Sequence, residues 1–421
     1  MKRIAWILFL ALSVSARGQT DGIFADFTTS MGNFTVYLDH ERAPRAVASF
    51  VGLATGEGGW TDFQSNVWRR PFYDGTLFHR VVKDADTNGI AIQGGGYLWR
   101  SVVDTNTGAV ATNFAGPGYA MLENVTNGLA HSNGVISMAN SGPNTDGSQF
   151  FVMATNWPGW DGSYSVFGHV TTGMNVVASI AAVAVQGTGE RPVEDVVLNR
   201  VAIRRVGAAA EAFSITNQGV PSPEAAPICA YRSGSDLELR IELAAQTKPL
   251  LWSESPDMRN WERSRLLPPN VLFYTNATQV MNGSVSMSGL GNTYFFHCGR
   301  VRYPVPITAP TTHRGRIYRF VWNTVPAVTN ESHFGANDST PGFSYEWVGT
   351  NAVVTNQLLS AWESWTQDAY SARLVSLDSR FYYFYYSLGF NPGAATNRFT
   401  CRRVHGITGA TLSLSGTFTV Q

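Results

Sequence analysis

The chain has 421 residues, 14% of them charged, and its 30 Lys and Arg balance its 30 Asp and Glu. That length suits two or three domains, and a formally neutral chain lacks the basic face that nucleic-acid binding needs, so no nucleic-acid partner is expected. Lysine occurs only at Lys2, Lys83 and Lys248, which leaves Schiff-base or phosphate-loop chemistry without an obvious residue.

In chain order, Lys2 and Arg3 precede an apolar stretch from Ile4 to Val14, and Val14-Ser15-Ala16 offers small residues for cleavage. The apolar core Ile4 to Val14 is too short to span a bilayer, so residues 1–19 read as a secretory signal. An exported protein is expected, periplasmic or extracellular, with no membrane-spanning segment once the signal is removed. Ala25 to Thr29 and Asn33 to Leu38 read as strands around a Met31-Gly32 turn. Pro44 suits a first helical turn, Val47, Phe50, Val51 and Ala54 repeat at helical spacing, and Gly56 is placed to end the helix. Leu77 to Val81, Val135 to Ala139, Phe150 to Met153 and Val166 to Val170 read as short buried strands, Met174 to Ala182 as a second helix and Val196 to Val206 as a closing strand.

Four blocks in this part carry a resemblance. They are Pro71-Phe72-Tyr73-Asp74-Gly75-Thr76-Leu77-Phe78-His79-Arg80; Gln93-Gly94-Gly95; the run from Ser137 through Asn140-Ser141-Gly142-Pro143-Asn144-Thr145-Asp146-Gly147-Ser148-Gln149-Phe150-Phe151; and Val166-Phe167-Gly168-His169-Val170. Their order and content resemble the cyclophilins, peptidyl-prolyl cis-trans isomerases, from about Ile23 to Val206. The resemblance implies a mainly β fold, a closed β-barrel capped by two helices over residues 20–206. It also implies a non-covalent reaction on proline-containing peptides or unfolded secreted proteins, without cofactor.

The barrier to peptide-bond rotation is about 18–20 kcal/mol, and uncatalysed X-Pro exchange takes roughly tens to hundreds of seconds. A gain of about 10⁵ in rate needs about 7 kcal/mol. Twisting the bond returns the lone pair to nitrogen and shrinks the amide dipole. An apolar pocket and one charged donor therefore both favour the twisted form. Arg80 matches the family's catalytic arginine, and Phe151 its pocket phenylalanine. Gln93, Asn140 and Gln149 match positions that hydrogen-bond the substrate backbone, and Ala139 lies beside that backbone. His79 is expected to support the fold, because no proton is transferred.

The chain also departs from the family pattern. The link Lys83-Asp84-Ala85-Asp86-Thr87-Asn88-Gly89 is about five residues longer, so it either refills the pocket or blocks it. Ile90-Ala91 stands where the family has Phe-Met in the pocket wall. Trp160 falls on the family's leucine position, with Trp157 nearby, and which indole covers the site stays open. Tyr164 replaces a histidine.

The second half carries weaker signals. Gly207 to Pro227 is rich in Ala, Pro, Ser and Glu, and residues 207–233 read as a linker. In Asp236 to Leu243, leucines and isoleucine alternate with Glu238, Arg240 and Glu242, a half-buried antiparallel strand. With Asp257-x-x-Asn260-Trp261 and Tyr294-Phe295-Phe296, residues 234–306 resemble small β-sandwich modules of secreted bacterial proteins. Residues 307–421 read as a further β-rich domain. Its strands are expected at Arg316 to Trp322, Phe343 to Val348, Arg380 to Tyr386 and Thr411 to Val420. The run Phe381 to Tyr386 is either a stacking platform for sugar or peptide or a core strand. These C-terminal parts are candidates for cell-surface or carbohydrate contact. Cys229, Cys298 and Cys401 leave a bridge or free thiols open, and neither they nor the eight histidines show metal-ligand spacing.

Overall fold

A computed structural model describes residues 21–421 except 63–66, 99–101, 104–109, 112–115, 227, 244–246, 256–261, 264–278, 287–294, 305–315, 325–327, 335–341, 349–350, 369 and 379–381. The expected signal segment and the Asp257 to Trp261 turn lie outside the described residues.

Eight antiparallel strands close the first barrel: β1 Gly22–Thr29, β2 Gly32–Leu38, β3 Thr76–Lys83, β4 Gly89–Leu98, β5 Val135–Met138, β6 Phe150–Met153, β7 Val166–Thr172 and β8 Val196–Val206. Around the barrel they run β1-β8-β3-β4-β6-β5-β7-β2. Alternation makes the wall: Ile23, Ala25 and Phe27 of β1 point inward and are buried, while Asp26 points outward. There Arg204 of β8 donates to Asp26 at 2.5 Å. That bond draws the carboxyl below its usual range, against partial desolvation.

Helix α1, Pro44–Thr55, starts at proline and ends where Gly56 adopts φ +83° and bonds back to the Gly52 carbonyl. Its buried face carries Val47, Phe50, Val51 and Leu53. Phe50 stacks on Tyr73 at 4.9 Å and meets Phe27, Phe150 and Phe167 within 6 Å, so the helix plugs the barrel with aromatic area. Helix α2, Met174–Ala181, packs against β4 and β2.

The stretch expected as a linker is instead ordered against the barrel. Helix α3 spans Ala208–Ala212, and Ala210 and Phe213 join the barrel's core. Ser222–Ala225 then pairs with Phe295–Arg302. Composition suggested flexibility, but one alanine and one phenylalanine found apolar cover. The strand at Phe295–Arg302 belongs to a four-stranded sheet with Thr247–Ser255 and Glu262–Arg263. Ile228–Ser233, Asp236–Leu243 and Gln279–Ser286 form a three-stranded sheet.

The last part is a second closed barrel: β9 Ile317–Trp322, β10 Val328–His333, β11 Gly342–Val348, β12 Asn351–Asp368, β13 Ser371–Asp378, β14 Tyr382–Gly389, β15 Asn397–His405 and β16 Thr411–Val420. Each strand pairs with its sequence neighbour, and β16 returns to β9. Aromatic rings fill it: Phe320 stacks on Tyr386 at 4.5 Å and meets Phe399 at 5.0 Å. The aromatic run is thus a wall strand. Phe384 and Tyr386 face the core, whereas Tyr385 is exposed with the Arg402 guanidinium 4.8 Å above its ring. Among the described residues, Cys229 and Cys401 are free thiols, and burial pushes Cys401 up to about 12.

Candidate active site

β3 is irregular where the chemistry is expected. Its register with β4 slips between Thr76 and Phe78, between Phe78 and Arg80, and between Val82 and Lys83. Such bulges re-aim side chains. Phe78 stays in the core, whereas Arg80 stands at the surface opposite Gln93. The guanidinium is held by Glu190: Nε and Nη2 donate to Oε2 at 3.0 and 2.8 Å. Glu190 is itself fixed twice, since Oε1 accepts from the Lys83 amide at 3.0 Å and its carbonyl accepts from the Val81 amide. Nothing in the local sequence marked Glu190. Its only signal is an acidic residue in a Gly-rich hairpin, a common turn composition.

Gln93 and Gln149 form a second polar pair, with Nε2 of Gln93 donating to Oε1 of Gln149 at 2.8 Å. Gln149 lies flat over Gly96, where a Cβ would come within 2.7 Å of its Cδ. His79 also bonds Gln149, and burial pushes its pKa down to about 4, so the ring is neutral.

The apolar floor is Phe151 on β6. Trp160 and Tyr164 each meet its ring edge-on at 5.2 Å, and Trp157 lies beside Trp160 at 6.4 Å. Burial pushes the Tyr164 phenol up, while the charge of nearby Arg80 pulls the other way. Beneath, His131 stacks on Phe151 at 5.8 Å and bonds Asp161 at 2.8 Å. Sequence reading had missed this brace. Ala139 packs on the same cluster, and Ile90 and Ala91 lie in it, buried to 4% and 0% exposure. They back the floor rather than face solvent.

Two further expectations change. The Asn140 side chain is held by its own loop and by the segment after β6, its Nδ2 donating to Asp146 and to the Ser163 carbonyl, each at 3.1 Å. Asp146 is fully enclosed, and burial pushes its carboxyl up to about 7 despite the Ser165 hydroxyl at 2.6 Å. The inserted loop neither refills nor blocks the site. Asp84 ties it into a turn through Asp86 and Asn88, and Lys83 Nζ anchors it to the Ala181 carbonyl at the end of α2. A polar cleft of about 340 Å³ continues from Gln93 and Gln149 past Ala139, Asn140 and Thr145.

Residues 24–203 match the family model described as cyclophilin type peptidyl-prolyl cis-trans isomerase/CLD. Peptidyl-prolyl cis-trans isomerase CYP18-2 of Arabidopsis thaliana is 33% identical over 191 residues, 45% of this chain and 99% of that protein. Peptidyl-prolyl cis-trans isomerase B of Streptomyces anulatus is 34% identical over 185 residues, 43% of this chain and 96% of that protein. A crystal structure of a Cryptosporidium parvum cyclophilin type peptidyl-prolyl cis-trans isomerase in the presence of the dipeptide Ala-Pro aligns with a TM-score of 0.31 and 22% identity. It covers 44% of this chain and 99% of that one.

Proposed function

The chain belongs to the cyclophilin-type peptidyl-prolyl cis-trans isomerases through residues 24–203, and on that premise we propose that its first barrel rotates X-Pro bonds in exported, unfolded polypeptides. The observation that carries this reading is the Arg80 fork, held by Glu190 beside the Phe151–Trp160–Tyr164 cluster. With Nε and Nη2 on Glu190, Nη1 is the nitrogen that serves as the donor to the twisting imide. Arginine keeps that charge at any working pH. The prolyl ring rests against Phe151, Trp160 and Tyr164. Gln93 and Gln149 bond the substrate backbone, and Asn140 and Ala139 meet it through their main chain. No bond is made or broken. The site favours the half-rotated state by charge and by an apolar surround.

The test is exchange of an Ala-Pro peptide followed by NMR, with wild type and Arg80→Ala. Background exchange in both proteins rejects catalysis. A second reading is a barrel that binds proline-containing chains without turnover. The buried Ile90 and Ala91 favour it, since they lie behind the floor and leave the site without the wall that a Phe-Met pair gives. Peptide affinity without accelerated exchange selects it.

Export is part of the proposal, on the charged and apolar opening of the chain. A secreted product whose first residue still lies before position 16 contradicts signal cleavage. The C-terminal modules are proposed to contact a cell surface or carbohydrate. The exposed Tyr385 beside Arg402 offers a stacking face. Equal retention of wild type and Tyr385→Ser on cell-wall polysaccharide counts against that face.

A further inference from the structure

The loop after β5 is where the two barrels meet, and the seam is close-packed. Asn144 is fully buried at φ +59°. Its amide donates to the carbonyls of Phe390 at 3.1 Å and Tyr370 at 3.4 Å, and to Oδ1 of Asn391 at 3.0 Å. A Cβ on Gly389 would lie 2.4 Å from Pro143, and one on Gly142, at φ +126°, 2.7 Å from Ser387. The backbones thus approach at a separation that only glycine allows. Arg398 of β15 pairs with Glu123 and donates to the Gly162 carbonyl at 2.6 Å. Tyr119, Val301, Tyr303 and Tyr370 bury one another where first barrel, middle sheets and second barrel converge. The second barrel is therefore fixed on the lip of the site.

Next to that seam lies a cleft of about 610 Å³. Asn140, Trp160 and Tyr164 line one side, and Asn323, Thr400 and Ser415 the other. Trp160 and Tyr164 are the same rings that lean on Phe151, so the cleft begins where the prolyl site ends. Asn323, Thr400 and Ser415 are exposed and uncharged, while Arg398 on their side and Asp161 on the near side also line the cleft. Thr400 and Ser415 are cross-strand partners on β15 and β16, and the Asn323 amide is anchored to the Ser415 carbonyl at 2.8 Å. The cation nearest the wall, Arg398, is already neutralised by Glu123. Hydroxyls and a carboxamide without net charge suit the amides of an extended polypeptide, which bring donors and acceptors and no charge of their own.

The geometry points to this cleft as a continuation of the substrate groove: the stretch of polypeptide flanking the proline lies between the barrels, and Asn323, Thr400 and Ser415 of the second barrel read it. The inference rests on the isomerase reading for its class of substrate. It makes the second barrel a specificity element that favours long unfolded chains over short peptides.

Full-length wild type, Thr400→Trp and Asn323→Arg are compared on an Ala-Pro tetrapeptide and on a dodecapeptide with the same central pair. Thr400→Trp fills the cleft from an exposed strand position, and Asn323→Arg carries the comparison should the tryptophan variant not fold. For the dodecapeptide KM is expected to rise about fivefold, while tetrapeptide turnover stays within about twofold of wild type. Unchanged dodecapeptide kinetics in both variants, or the same factor for both peptides, overturns the inference. If wild type turns over neither peptide, the isomerase reading fails by itself. Dodecapeptide binding followed by NMR then decides: about fivefold weaker binding to the variants upholds the cleft, and equal binding overturns it.

Discussion

Two closed barrels of eight strands stand side by side in this chain, and they differ in the order of their strands. The second is a meander in which every strand pairs with its neighbour in sequence. The first threads its strands in the order β1-β8-β3-β4-β6-β5-β7-β2, with β3 slipping register three times. The slips put Arg80 at the surface while Phe78 stays in the core. A regular strand would fix both by simple alternation. The slips at β3 lie where the candidate site is, whereas those of the second barrel fall on β12, and the strands β15 and β16 that face the site pair without a shift.

The largest expected effect separates the barrels energetically. Phe320→Ala removes a fully buried ring from the second core and is expected to cost about 3–5 kcal/mol. Urea unfolding should show an early transition while tetrapeptide turnover persists. Loss of activity in that same transition would mean that the barrels unfold as one unit. Next, Arg80→Ala should lower turnover about 10²–10³-fold with no change in the urea midpoint. A tenfold loss or less would shift the work from the charged donor to the apolar floor.

Asn144→Ala leaves buried acceptors on both sides of the seam without their donor, at about 1–3 kcal/mol. It should split a shared unfolding transition in two, and an unsplit transition would assign the seam to Arg398 and the glycines. Glu190→Gln keeps the bond to the Lys83 amide and removes the charge that holds Arg80. We expect about fivefold lower kcat at nearly constant KM, the split expected of a positioning residue. Equal kcat would make Glu190 a mere strand clamp. The smallest effect is with pH. His79, pushed down to about 4, stays neutral across the working range, so it should contribute no step to the rate from pH 5.5 to 8, and a step near 7 that Asp146→Asn removes would belong to the carboxyl bonded to Asn140. Since the unfolded chain binds a proton near 6.5 that the folded one refuses, His79 should add stability as pH rises from about 4 to 6.5. A rate titrating near 6.5 would return His79 to the chemistry.

Much of the first barrel could be read in advance because its signals are local. Strand alternation, the Pro44 and Gly56 boundaries and the Phe-His-Arg block each sit within a few residues, and Phe151, Trp160 and Tyr164 meet in the structure. Gln93 and Gln149 meet too, although 56 positions separate them. What local signals did not reveal is who touches whom. Asn140 turned to Asp146 and Ser163 because a buried carboxyl needed a donor. Ile90 and Ala91 went behind the floor because their strand faces that way. Gly207 to Pro227 found apolar cover that composition does not reveal.

The residue pattern by itself determined the mainly β character and the family, and it singled out Arg80 as the proposed donor, since periodicity and contiguous motifs are properties of neighbouring residues. Only the folded chain decided that Glu190 holds Arg80 from 110 residues away and that Asn144 bonds Phe390 from 246 away. It also decided that a cleft opens between the barrels. Such contacts depend on how strands close in space, and pairing partners far apart in sequence leave no local trace.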